Sequence, residues 1–462
     1  MKKFCWLTSA LLLASCTVGP DYVRPDFYDD TQIADSLDLS EKSNAAPNPD
    51  WHRDFNDDTL NALVASAMTR NFDVKSAVAA LRASRENLRI AQVAYLPTVN
   101  AAGNYTRLKP SDNNPIAYRE SYYTAGLDAS WEIDIWGAGR RQSEQAGAQF
   151  ASVAANLENV LISVKAQTVS LYFSLRAAQE QVALLEQNIG LQEAVFALTR
   201  ELYDSGLADL SDMNQAKYAL ENMKGSLPPA QNAVEAYKNA LTLITGNLPR
   251  GLNDALAPDG DNALARGYVL DFDILYSLPV SAVRFRPDVR MAEWELVAQN
   301  AAVGRAVAAM YPNVSVSALI GFQAEHFADI LKSGSQTYSA APSITAPLFH
   351  WGALLRQVRA QKAVRDQYAA AYQQALLNAI TDVGNRINDL KAGQMKLGYI
   401  DESLRNIRSA VYLSLVRYRE GLIPLNTLLT QTQDLLQTQS ALVSAKQDVY
   451  AGVVAFYKAM GV

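Results

Sequence analysis

Tyr123-Thr-Ala-Gly-Leu-Asp-Ala-Ser-Trp-Glu-Ile-Asp-Ile135 alternates without a break. Tyr123, Ala125, Leu127, Ala129, Trp131, Ile133 and Ile135 fall on one side of an extended chain, and Thr124, Gly126, Asp128, Ser130, Glu132 and Asp134 on the other. Successive strand side chains point to opposite faces, so the stretch predicts a strand with one oily face and one wet, acidic face. Past Trp136-Gly137 the period lengthens. Leu157, Leu161, Val164, Thr168, Leu171, Leu175, Ala178, Val182, Leu185 and Ile189 advance by three and four residues, the seam of a helix that supercoils left-handedly on its neighbours. No proline interrupts Ala138 to Ser205. Such a run makes roughly 100 Å of helix at about 1.5 Å per residue.

The same succession occurs twice. Asp73-Val74 returns as Asp288-Val289, Pro97 as Pro312, Tyr123 as Tyr338, Trp136-Gly137 as Trp351-Gly352, Tyr203 as Tyr418 and Gly206-Leu207 as Gly421-Leu422. Every pair is 215 positions apart, as 288 is from 73 and 421 from 206. An ungapped offset sustained from Asp73 to Leu207 marks an internal duplication.

In each copy a helix (about Leu60 to Val93, and Leu275 to Ala309) is expected to end before Pro97 or Pro312, because proline cannot continue it. Two strands follow. In the second copy Val314, Val316, Ala318, Ile320 and Phe322 share one face, and Tyr338, Ala340, Pro342, Ile344, Ala346 and Leu348 share another. Loops rich in turn formers, such as Leu108 to Pro115, separate the strands. Long helices then start at Ala138 and Ala353. The second carries Val383, Leu390, Leu397, Leu404, Val411 and Tyr418 at seven-residue spacing, and both stop at Gly206 and Gly421, glycine suiting the left-handed cap. Returning helices are expected over Leu210 to Thr245, broken at Pro228-Pro229, and over Leu425 to Met460. The resulting plan is a leader (1–15), an N-terminal segment (16–59), a first repeat (60–246), a linker (247–274) and a second repeat (275–462).

Met1 to Cys16 has a basic start and an apolar run too short to span a membrane as a helix, the pattern of a secretory signal. Its ending, Leu13-Ala-Ser-Cys16, resembles the bacterial lipobox, which implies cleavage before Cys16 and acylation of that residue. The other reading is an ordinary signal with an incidental cysteine. Cys5 would leave with the leader, so no internal disulfide could form. The chain's net charge of −6 becomes about −8 without Lys2 and Lys3, which disfavours nucleic acid as a partner. Past the leader no apolar run reaches helix-spanning length, so any membrane crossing must be made by strands.

A strand with one lipid-compatible face must sit in a closed barrel, since open edges leave backbone groups unpaired in hydrocarbon. Four strands cannot close. The smallest barrels have about eight, so several chains must contribute. Aromatic residues at the strand ends (Tyr122, Tyr123, Trp136, Phe349, Trp351) resemble the girdles of membrane barrels. A soluble coiled coil joined to a sandwich is the alternative.

Chemistry is sparse. His52, His326 and His350 lack metal-ligand spacing, no phosphate-binding Gly-Lys-Ser/Thr loop occurs, and Glu293 and Glu295 lie two apart on a helix and so diverge. No cofactor, metal or enzymatic activity is expected, and the alternative of a periplasmic hydrolase lacks a nucleophile or acid pair.

Cys16-Thr-Val-Gly-Pro-Asp-Tyr-Val-Arg-Pro25, Trp131-Glu-Ile-Asp-Ile-Trp-Gly137, Leu278-Pro279 with Arg286-Pro-Asp-Val-Arg-Met-Ala-Glu293, and Pro347-Leu-Phe-His-Trp-Gly352 resemble the signatures of the outer membrane factor family, the TolC-like and OprM-like channels. The likeness is to the lipoprotein branch that serves resistance-nodulation-division pumps. It implies a membrane α+β fold: a homotrimer with a 12-stranded outer membrane β-barrel, four strands per chain, continuous with a 12-helix periplasmic α-barrel. It also implies passive export of small molecules, with a periplasmic adaptor, an inner membrane pump and outer membrane lipid as partners. A TolC-like channel for type I protein secretion is the alternative within the fold.

The resemblance also marks sites. Cys16 would be the lipidation site. The turns Gly206-Leu207-Ala208-Asp209 and Gly421-Leu422-Ile423-Pro424 would dock the adaptor, unless Leu207 and Leu422 merely cover the helix ends. Asp212 matches an acid that helps hold the periplasmic entrance shut, and Tyr418 its tyrosine partner. Thr430 and Gln433 stand where relatives carry charged residues and would make weaker, neutral links. Asp128, Glu132 and Asp134 would line the pore, or else pair with Arg140 and Arg141.

Overall fold

The computed structural model describes residues 17–28, 32–33, 48–109, 111, 120–258, 264 and 280–462; Cys16, the leader, Leu278-Pro279 and most of the linker lie outside the described residues. Strands β1 (Thr98–Leu108), β2 (Glu120–Ile133), β3 (Asn313–Ala324) and β4 (Gln336–Thr345) alternate with helices α1 (Asp58–Arg70), α2 (Phe72–Val93), α3 (Ala138–Asp204), α4 (Leu210–Ile244), α5 (Pro287–Ala308), α6 (Ala353–Arg419) and α7 (Leu425–Ala459). The duplication holds to the residue: α5, α6 and α7 each begin and end 215 positions after α2, α3 and α4. Among the described residues no helix is long and apolar enough to cross a membrane. Two compact units form. One contains Ala80–Ala154, Met291–Gln373 and the described residues up to Asp26; the other contains Phe27–Ala79, Ala155–Arg290 and Gln374–Val462.

The first unit holds a four-stranded antiparallel sheet in the order β1-β2-β3-β4. Its register pairs Tyr105 with Tyr123, Leu127 with Ile320, Trp131 with Val316, and Ile320 with Tyr338. The two apolar faces expected of the second copy are therefore one, continuous across all four strands, with Val99 62%, Ile320 65% and Ile344 74% exposed. Asn100, Asp128, Glu132, Ser315, Ser317, Ser339 and Ser343 share the opposite face. Where β2 crosses β3, Gly126 faces Gly321 so closely that a Cβ on either would stand about 2.6 or 2.5 Å from a carbonyl oxygen of the other strand. Beside the sheet, residues 17–24 are pinned one after another. The Val18 N–H donates to Trp136 O, Asn300 to Pro20 O, and the buried Arg141 reaches Val18 O, Gly19 O, Asp21 and Glu144.

The second unit is helical. Trp51 stacks on Tyr457 at 4.8 Å and Phe173 on Tyr450 at 4.3 Å in its aromatic core. Arg286, largely buried, forks onto Asp288, reaches Asp382 at 3.3 Å and donates to Ala459 O, tying the end of α7 to the start of α5. Of the seven-residue seam of α6, Val383, Leu390, Leu404, Val411 and Tyr418 are buried and Leu397 is half-buried.

Several expectations are corrected. The first helix is two, because the Asn71 side chain accepts from Asp73 N and Val74 N and so caps a new start after Arg70. Its counterpart begins at Pro287, after a 3-10 turn over Val280–Phe285, proline being well placed in a first turn; the expected start at Leu275 lies outside the described residues. Helix α4 continues unbroken through Pro228-Pro229. The carbonyls that lose their donors are those of Lys224 and Gly225, both exposed, so water can satisfy them, and Gly225 has open space around it. Strands β2 and β4 stop at Ile133 and Thr345, leaving Asp134, Ile135, Ala346 and Leu348 outside them.

Candidate functional site at the helix turns and the foot of the sheet

In the second unit α3 and α6 end in the same device. Gly206 and Gly421 adopt φ of +72° and +69°, a conformation that costs other L-residues. Leu207 N–H donates to Leu202 O and Gly206 N–H to Tyr203 O; Leu422 N–H donates to Arg417 O and Gly421 N–H to Tyr418 O. This is the Schellman pattern of paired caps. Such caps usually fold the residue after the glycine back onto the helix. Here Leu207 and Leu422 stay 77% and 72% exposed, and the residue facing Leu422 across the cap is Arg417. No heavy atom beyond chain neighbours lies within 4 Å of a Cβ placed on either glycine, so the backbone angle, not crowding, requires glycine. Asp209 then caps α4 by accepting from Asp212 N at 2.8 Å, whereas Pro424 opens α7 without a side-chain cap. Ala208 and Ile423 are half-buried beside them.

Behind the turns Val195, Ala216, Tyr418, Leu425 and Leu428 form a small core drawn from α3, α4, α6 and α7. Tyr418 is buried in it. Thr199 Oγ1 gives its one proton to Val195 O at 2.9 Å, so in the 3.0 Å contact between Tyr418 and Thr199 the tyrosine hydroxyl is the donor. Burial pushes the Tyr418 hydroxyl pKa up, the Thr199 contact opposes this, and the nearby charge of Asp212 adds to the rise. Tyr418 and Asp212 are thus neighbours, but the hydroxyl bonds to Thr199. Thr430 and Gln433 are exposed on α7, and the Thr430 hydroxyl donates to Asn426 O on its own helix. Thr199 was missed by the sequence reading although it continues the α3 seam. The buried line there is Leu185, Asn188, Gln192, Val195, Thr199, one residue out of step with Ile189.

In the first unit the three acids separate. Asp128 accepts from Asn100 across the β1–β2 pair at 3.2 Å. Asp134 accepts from Arg140 N at 3.0 Å and lies 3.5 Å from its Nε, while Arg141 turns to Asp21 and Glu144. Glu132 is exposed and faces a cavity of about 540 Å³ at the foot of the sheet, lined also by Tyr95, Trp136, Arg305, Tyr311 and His350. No group of three His, Cys, Asp or Glu residues able to hold a metal occurs among the described residues.

The sequence and the fold are similar to those of known proteins. The outer membrane efflux protein family is matched over residues 63–247 and 278–462. The probable efflux pump outer membrane protein TtgC of Pseudomonas putida is 27% identical, with 98% of this chain and 94% of that protein aligned. The solved outer-membrane channel OprN superposes with a TM-score of 0.86 at 29% identity, covering 96% of this chain and 99% of its own. The Campylobacter jejuni CmeC outer membrane channel does so at 0.85 and 25%, covering 96% and 95%. With both halves of the duplication matched and the fold shared from end to end, the chain belongs to the outer membrane efflux protein family.

Proposed function

We propose that this chain, with two further copies, forms the outer membrane channel of a tripartite efflux pump and passively exports small molecules. The observation that carries the proposal is the sheet: four strands of 10 to 14 residues, one unbroken apolar face, and an unpaired edge on each of β1 and β4. Strands of about 9–11 residues suffice to span a bilayer, and joining edges between copies satisfies every backbone group. Three copies give twelve strands, and α3, α4, α6 and α7 of each copy supply the tunnel wall. In this reading the repeats 60–246 and 275–462 are the structural units, and Cys16 carries lipid into the inner leaflet of the outer membrane. Asp128 and Glu132 line the conduit. The chain does no chemistry, so energy arrives from an inner membrane pump of the resistance-nodulation-division class through a periplasmic adaptor. The adaptor docks on Gly206 to Asp209 and Gly421 to Pro424, and Asp212 with Tyr418 belongs to the closed periplasmic entrance, where Thr430 and Gln433 lend only neutral links. Native mass spectrometry in detergent is the test: a trimer is expected, and a stable monomer overturns both barrel and conduit.

A further inference from the structure

The cavity at the foot of the sheet belongs to neither the turns nor the entrance. Of the four strand residues on its wall, Glu132, Asn313 and Thr345 lie on the polar face of the sheet, as the pairings Glu132 with Ser315 and Asn313 with Thr345 require, and Ile133, paired with Val314, lies on the apolar one. In the proposed conduit the polar face is the lumen, so the cavity opens onto the path of the exported solute. Its volume of about 540 Å³ suits a drug-sized molecule, such pockets running about 300–1,000 Å³. The aromatic wall is preformed. Trp136 donates its indole N–H to Pro312 O at 2.7 Å and stacks on Tyr311 at 4.6 Å, so little order is lost when a ring settles against it.

The charges on this wall are unevenly committed. Asp134 is neutralised by Arg140. Glu132 and Arg305 have no ion-pair partner among the described residues and are not paired with each other, yet both face the same cavity. A carboxylate and a guanidinium held apart across an aromatic-walled space are complementary to a solute that carries an amine and an acid group on a planar ring. A simple cation or anion meets only one of them. The strand residues of the polar face add Asp128 and Glu132 and no Lys or Arg, so approach along the sheet favours the amine end.

We infer that this cavity is a transit site for aromatic zwitterions, with Glu132 receiving the amine and Arg305 the acid group. The inference rests on the conduit reading, and a conducting site must release as readily as it binds, so the affinity is modest. The test uses the full chain in detergent and norfloxacin, a planar aromatic zwitterion near neutral pH, followed by its own fluorescence anisotropy. Glu132→Gln and Arg305→Gln are each expected to weaken binding at least tenfold. The norfloxacin ester, a cation, should respond to Glu132→Gln and ignore Arg305→Gln; the N-acyl derivative, an anion, should do the reverse. On the unaltered chain both derivatives should bind at least tenfold more weakly than norfloxacin, an arm that needs no variant to fold. Equal binding of the three probes, or norfloxacin affinity indifferent to both substitutions, overturns the inference. Conductance in planar lipid bilayers separates this from the conduit reading. A chain that does not conduct overturns the conduit, whereas a conducting chain with indifferent binding overturns only the zwitterion site.

Discussion

Replacing Leu207 and Leu422 by Asp tests the docking role of the turns. Both side chains are more than 70% exposed, so their removal takes almost nothing from the folded chain; exposed substitutions of this kind usually stay within about 0.5 kcal/mol. Neither touches the cap hydrogen bonds, which are backbone to backbone. Burying a leucine against a partner is worth about 1.5–3 kcal/mol, and an aspartate in its place also brings an unpaired charge into an apolar contact. Each turn should therefore lose roughly tenfold to a hundredfold in local affinity, about 1.4 kcal/mol being a factor of ten. With two turns in every copy of a trimer the losses compound, and Leu207→Asp with Leu422→Asp should abolish efflux. The assay is drug susceptibility of a deletion strain carrying the variant, with cross-linking to the adaptor and native mass spectrometry beside it. Hypersusceptibility with an intact trimer is expected. Susceptibility at the unsubstituted level would refute the reasoning and move the adaptor's grip away from the turns.

The remaining predictions concern the chain itself. Thr199→Val should cost about 1–2 kcal/mol, since it strands the Tyr418 hydroxyl in a buried site, while Tyr418→Phe should cost less because Thr199 keeps its bond to Val195 O; the double variant should be less destabilised than the sum, read from melting in detergent. His52 is 6% exposed, its Nδ1 has no hydrogen-bond partner among the described residues, and burial holds its pKa down, with the charge of Lys165 adding to the effect. Its folded pKa lies below the unfolded value, so the unfolded chain binds the extra proton and stability falls as pH drops below about 6.5, by at most about 1.4 kcal/mol per pH unit. His52→Phe should flatten that decline in melting temperature between pH 7.5 and 5.5. Replacing Pro228 and Pro229 by Ala should raise the melting temperature, because two backbone donors return to a helix already formed; a fall would mean that the prolines pack something.

Much of the fold is legible in residue order, because two periods and one offset carry it. Alternation placed β2, β3 and β4, the repeat implied β1, and the 215-residue spacing predicted the matching bounds of α2 with α5, α3 with α6, and α4 with α7. Register was not legible. Whether Ile320 and Tyr338 share a face depends on which residue sits opposite which, and a slip of one would reverse it. Local exceptions were also hidden. Pro228-Pro229 reads as a break unless one knows that the orphaned carbonyls face water, and Asn71 reads as helical until its side chain is seen capping the next turn. At the turns the glycines and leucines were plain. The partner of Tyr418 was not, because Thr199 is a polar residue standing in an apolar seam.

The edge-to-edge order of the sheet sets a folding sequence. β1 with β2, and β3 with β4, are hairpins that close over short stretches of chain. Joining them requires Ile133 to meet Val314, 181 residues later, and closing so long a loop costs about 2 kcal/mol more than closing a hairpin. Contacts of this separation form late and slowly. Until α3, α4 and α5, which lie between them in sequence, have condensed, the newly exported chain carries two separate hairpins, each with exposed apolar side chains and a raw edge open to the wrong neighbour. Aggregation is therefore fastest before the central pairing forms, and a periplasmic holdase that shields hairpins would act in that interval, ahead of any encounter with the membrane.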